Sequence, residues 1–171
     1  MNLPPLDHPL AYFITFTCYG TRLHGDADGT VDRNHNVFGS PYLPRNRFRM
    51  EAESIRMKQA AYELDEPRRK IVLTVIIDVC RHRGWTLLAA QVRSNHVHVV
   101  VQALDKAEKV LNDWRRYASR HLNLAKLDLP GRIRWSRHGS TRYLWTDKDV
   151  KDAVQYVTDE QGEPMEVYVQ S

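Results

Sequence analysis

Cysteine is scarce. Cys18 and Cys80 are the only two in the chain, too few for a disulfide framework or a structural zinc site, and they fit reduced thiols in a cytoplasm. Long apolar runs are missing as well: none approaches the roughly 20 residues that a membrane span needs. The N-terminus has neither a basic n-region nor a long apolar h-region, so a soluble, cytoplasmic protein with no membrane partner is expected. Nor does either sign of charge dominate, since 25 Lys+Arg stand against 21 Asp+Glu. The arginines are nevertheless clustered, at Arg45, Arg47 and Arg49, at Arg68 and Arg69, at Arg115, Arg116 and Arg120, and at Arg132, Arg134, Arg137 and Arg142. That distribution suits a polyanion better than the net charge does, although any one cluster alone reads as a solvated face.

What is present is enough for one packed domain. The 171 residues, 42% of them apolar, fit a single domain over 1–171 with a real core. Ala11 to Tyr19, rich in aromatic and β-branched residues and stopped by Gly20, predicts a buried strand. From about 24 to 50 the chain lacks periodicity and is rich in Gly, Asn, Asp, Pro and Arg, which predicts an irregular insertion. Its Asp26, Asp28, Gly29 and Asp32 lack the spacing of a calcium loop. Helices are expected over about Glu51–Glu63 and Pro67–Arg83. The second carries a buried stripe of Ile71, Val75, Val79 and His82 or Ile76, with Gly84 as its cap. Thr86–Val92 and His96–Gln102 read as a hairpin turned by Arg93-Ser94-Asn95. A helix over about Lys106–Asn123 follows, with Val110, Leu111, Trp114, Ala118 and Leu122 on its stripe and its arginines off it, open to solvent or phosphate. A strand over Ser140–Trp145 and a last helix opened by Thr146-Asp147-Lys148-Asp149 complete the chain. The order predicts an α+β, ferredoxin-like (RRM-like) fold: a four-stranded antiparallel sheet with helices on one face, plus a C-terminal helix bearing Tyr156.

Side chains alternate along a strand, so His96 and His98 share one face while Val97, Val99 and Val101 share the other. On the last helix, at about 100° per residue, Tyr156 lies on the shoulder of the stripe Val150, Ala153, Val154 and Val157. Glu160 falls beside it one turn on, Asp159 projects away, and Gln161 returns to the stripe. Two imidazoles plus one carboxylate or amide would make a three-ligand metal site with open positions, and His96, His98 and Glu160 meet that need. The tripeptide alone is more often an exposed pair on a sheet surface or two hydrogen-bonded imidazoles. A shoulder tyrosine commonly just covers core edge, and Tyr117 is a rival for any role given to Tyr156.

Over nearly its whole length, through FITFTCYGTRLHG, RSNHVHVVVQ, WRRYASRHLN, RYLW and DAVQYVTDEQG, the chain resembles the single-tyrosine HUH transposases. These are small single-strand DNA transposases of insertion sequences and of the related REP-associated type. The resemblance implies His96 and His98 as metal ligands, Tyr156 as nucleophile, and a third ligand one turn after the tyrosine, where Glu160 stands with Gln161 next to it. It further implies Mg²⁺ or Mn²⁺ and transesterification through a 5′-phosphotyrosine. A phenol, with its ordinary pKa of about 10, needs such help to act as a nucleophile near neutral pH. The implied substrate is hairpin-containing single-stranded DNA, met by Arg93, Arg115, Arg116, Arg120 and Arg142, and the implied assembly is a homodimer. Two other readings compete: a catalytically silent single-strand-binding module on the same fold, and a hydrolase or oxygenase with a two-histidine, one-carboxylate site in which Tyr156 is incidental.

Overall fold

The computed structural model describes residues 7–21, 51 and 54–171. The insertion expected at about 24–50, with its acidic turn, lies outside these. Among the described residues the elements are β1 (Ala11–Cys18), α1 (Glu66–Arg83), β2 (Thr86–Val92), β3 (His96–Gln102), α2 (Ala107–Leu124), β4 (Trp135–Leu144), α3 (Asp147–Asp159) and β5 (Glu166–Val169). The strands form one antiparallel sheet in the order β4-β1-β3-β2-β5. The antiparallel α+β sheet read from the sequence is present, with its β-α-β-β-α-β order. A fifth strand is added outside β2.

Strand alternation divides the molecule into two layers. Tyr12, Ile14, Phe16 and Cys18 of β1 and Val97, Val99 and Val101 of β3 pack with α1 and α2 in the main core. Each valine there is fully buried, worth about 1.5–3 kcal/mol of hydrophobic stabilisation. Ala11, Phe13, Ala89, Val100 and Leu144 point the other way, where Ala153 and Val157 of α3 cover them. Helices therefore lie on both faces rather than on one, and among the described residues the tyrosine helix is the one on the second face.

Local chemistry explains the helix boundaries. The Asp65 side chain accepts a hydrogen bond from the Arg68 N–H and caps α1, Pro67 occupies its first turn, and Gly84 closes it at φ 72°. The buried stripe of α1 is Val72, Val75, Ile76, Val79 and Cys80; Ile71 is only half-buried and His82 is exposed, so the stripe is rotated from the one predicted. The helix expected over Glu51–Glu63 ends by residue 56. Beyond it the Tyr62 N–H donates to the Tyr19 carbonyl and the Leu64 N–H to the Ser94 carbonyl, both at 2.8 Å or less, while both side chains are buried. These distant backbone partners outweigh helical propensity. Strand β4 starts five residues earlier than Ser140, because β1 supplies hydrogen-bond partners to a stretch with no apolar alternation of its own.

Its entry is held by a buried ionic cluster. Asp128 accepts from the Tyr62 hydroxyl at 2.8 Å, from Arg68 Nη2 at 2.8 Å and from Arg134 Nε at 3.0 Å. Burial alone would raise the Asp128 pKa, but these hydrogen bonds and the Arg68 charge hold it below the usual carboxylate value. Burial pushes both thiols, Cys18 and Cys80, up to about 12, which leaves them inert.

Candidate active site

The second face of the sheet carries the polar residues. Register places Thr17 opposite His96, and both Thr15 and Gln91 opposite His98, so these side chains share the layer that α3 covers. Apolar residues fill the rest of the α3 contact, and the polar ones gather toward its C-terminal end.

His96 and His98 are buried, at 8% and 5% exposure, with ring centroids 4.6 Å apart. Each ring is oriented by a neighbour. His96 Nδ1 lies 2.6 Å from Asn95 Oδ1, and an amide oxygen only accepts, so the Nδ1 proton is donated there, which in a neutral ring leaves the lone pair on Nε2. His98 Nδ1 lies 2.7 Å from the Thr15 hydroxyl. Outer hydrogen bonds of this kind orient imidazoles that ligate metals. The donor set thus fits a divalent cation, with His96 and His98 as the residues that would hold it.

Helix α3 brings the tyrosine over them. A complete capping box, Thr146 with Asp149, starts the helix, and burial of Ala153 and Val157 sets its rotation. Tyr156, half-buried on the shoulder as expected, stands edge-on to His98 at 5.7 Å and to Phe13 at 5.8 Å between ring centroids. The structure therefore brings together His96, His98 and Tyr156, from a strand and a helix more than fifty residues apart. Tyr117, the rival, belongs to α2 and packs against the main core on the other face.

Glu160 does not join them. The helix ends at Asp159, Glu160 takes the cap position with φ −106° and ψ 14°, and its side chain is exposed. Among the described residues no group of three His, Cys, Asp or Glu side chains is placed to hold a metal, so the expected His96–His98–Glu160 set is not assembled there. The Glu160 N–H still donates to the Tyr156 carbonyl at 3.4 Å, and the chain turns at Gly162, whose φ is 74°. Gln161 is half-buried, and its Nε2 donates to the Tyr156 carbonyl at 3.3 Å.

The predicted arginines separate by face. Arg142 pairs with Phe13 across β4 and β1 and so lies on the tyrosine face. Arg93, just beyond β2, donates from Nη1 to Gln91 Oε1 at 3.3 Å and to the Glu163 carbonyl at 3.0 Å. Arg115, Arg116 and Arg120 belong to α2, whose buried stripe packs on the opposite layer. Arg115 is not the open arginine expected: it donates to the His138 carbonyl at 2.9 Å and stacks on Phe16. Burial brings its pKa down to about 10. Arg116 pairs with Asp113 at 3.4 Å, and Arg120 is exposed.

Sequence reasoning missed Thr15, Gln91 and Asn95. Asn95 adjoins the first histidine in the turn, and Gln91 interrupts an apolar strand, so both carried a signal. Thr15 carried none before its register with His98 was known.

The chain is similar in structure to a REP-associated tyrosine transposase bound to a REP hairpin, with TM-score 0.48 and 12% identity, over 92% of this chain and 68% of that one. It is also similar to a candidate transposase from Deinococcus radiodurans R1, with TM-score 0.46 and 12% identity, over 95% and 99%. No protein-family model and no curated protein matches the chain.

Proposed function

We propose that the protein is a single-strand DNA transposase or endonuclease that cleaves and rejoins DNA through Tyr156. The observation that carries this reading is the placement of a half-buried phenol edge-on to a buried, hydrogen-bond-oriented histidine pair. A divalent cation, Mg²⁺ or Mn²⁺, would supply charge stabilisation at a phosphate when bound to His96 and His98. The remaining work belongs to the chain. Packing against Phe13 limits the Tyr156 ring, Thr15 and Asn95 hold the imidazoles, and Arg142 and Arg93 place positive charge beside the same face. The Tyr156 oxygen bonds to phosphorus as the bond to O3′ breaks, and the phenol proton ends on the departing 3′-hydroxyl. Attack by a 3′-hydroxyl on the phosphotyrosine reverses the exchange, so rejoining requires no ATP.

The competing oxygenase-type reading needs a carboxylate beside the two histidines, and among the described residues none completes such a group. A silent binding module on an open RRM-like sheet is disfavoured because α3 covers that face.

The test is incubation with labelled hairpin-containing single-stranded DNA and Mn²⁺, scored for an SDS-resistant protein–DNA adduct. Wild type forms it and Tyr156→Phe does not; an adduct that survives in the Phe variant moves the nucleophile elsewhere. No adduct on any strand returns the binding module to first place.

A further inference from the structure

Gln91 is wholly buried, at 0% exposure, in the strand beside His98. Its strand neighbours Ala89, Ala90 and Val92 are buried and apolar, while His98 stands opposite it on the paired strand. One end of the amide is accounted for. Arg93 Nη1 donates to Oε1 at 3.3 Å, and because a guanidinium only donates, this contact assigns the oxygen to the Arg93 side and leaves Nε2 on the other. Nε2 is buried with no hydrogen-bond partner among the described residues. Leaving such a donor unsatisfied costs stability, a penalty a leucine of similar size would not carry.

We propose that Gln91 is a substrate-positioning residue whose Nε2–H₂ donates to a non-bridging oxygen of the phosphodiester held at the His96–His98–Tyr156 site. This rests on the reading of the site given above. The group is an N–H donor as oriented, so it fits an anionic oxygen and not a cation. The same arginine links the amide to the turn that follows the tyrosine helix, because Arg93 Nη1 also donates to the Glu163 carbonyl just past Gly162. Docking of the segment that follows Tyr156 and orientation of the amide are thereby joined through one guanidinium. Arg93 thus acts through Gln91 as well as through its own charge.

The full chain carrying Gln91→Leu tests the assignment against wild type, with three readouts: thermal unfolding, Mn²⁺ affinity by EPR, and single-turnover cleavage of hairpin-containing single-stranded DNA. The expected result is an unfolding temperature equal to or above wild type, Mn²⁺ affinity within about twofold, and cleavage slowed about 100-fold, the usual loss for one donor to a developing oxyanion. Cleavage within threefold of wild type overturns the proposal. So does a large loss of Mn²⁺ affinity, which would make the amide oxygen a metal donor, or a fall in unfolding temperature, which would make the residue structural. Should wild type form no adduct, the nuclease reading fails by itself, and inorganic phosphate then decides Gln91. Phosphate with Mn²⁺ that raises the unfolding temperature of wild type but not of Gln91→Leu upholds the donor role; equal shifts, or none in wild type, overturn it.

Discussion

Tyr156 meets His98 edge-on, with ring centroids 5.7 Å apart and planes at 71°, and Phe13 holds the tyrosine ring from a second side. The contact is made by the ring and not by the hydroxyl. Removing the oxygen alone should therefore leave the packing intact. Tyr156→Phe is expected to unfold within a degree or two of wild type by calorimetry and to form no DNA adduct on a denaturing gel.

Asn95 and Thr15 hydrogen-bond the histidines that the proposed function makes metal ligands. Asn95→Ala removes the acceptor that keeps the proton on His96 Nδ1, and Thr15→Val removes the hydroxyl beside His98 Nδ1. Losses of outer-shell partners weaken metal sites by about 10–100-fold. A Mn²⁺ titration followed by EPR should show that loss for each variant, with the far-ultraviolet circular dichroism unchanged. Full affinity in Asn95→Ala would show that the tautomer is set by something else.

The Asp128 cluster makes stability depend on acid. Its carboxyl is held below the ordinary value of 3.8, so its contribution is complete above that value and is lost as pH falls through the lowered pKa of the folded state. Denaturant midpoints measured from pH 6 down to pH 2 should fall, and the fall should be shallower in Asp128→Asn. At neutral pH that variant should lose about 3 kcal/mol, because the buried Arg134 guanidinium keeps its charge and loses its counterion.

Gly139 of β4 lies close against α2 and β1. A Cβ there would lie 2.8 Å from Leu111 Cδ2 and 2.9 Å from the Thr15 carbonyl oxygen. The carbonyl belongs to the β1 ladder and cannot swing aside as a side chain can. Gly139→Ala should cost about 1–3 kcal/mol of overpacking strain, read in urea unfolding, and should shift the amide resonances of β1 near Thr15.

The histidine pair, the helical tyrosine and the order of elements up to β4 were legible in the chain because each rests on local rules. Strand alternation puts His96 and His98 on one side whatever the rest of the protein does, and the apolar stripe of α3 sets Tyr156 on its shoulder. Partners outside the segment were decisive elsewhere. β5 has four residues and exists as a strand through its pairing with β2, and the helix predicted to Glu63 stops where Tyr62 and Leu64 find carbonyls on Tyr19 and Ser94. The layer that α3 occupies was decided the same way, and with it the meeting of Tyr156 with His98. So was the exposure of Glu160 at the end of the tyrosine helix. Periodicity is a property of one segment and could be read directly, whereas register, chain reversal and the choice of a buried partner arise from contacts between segments that only the folded chain brings together.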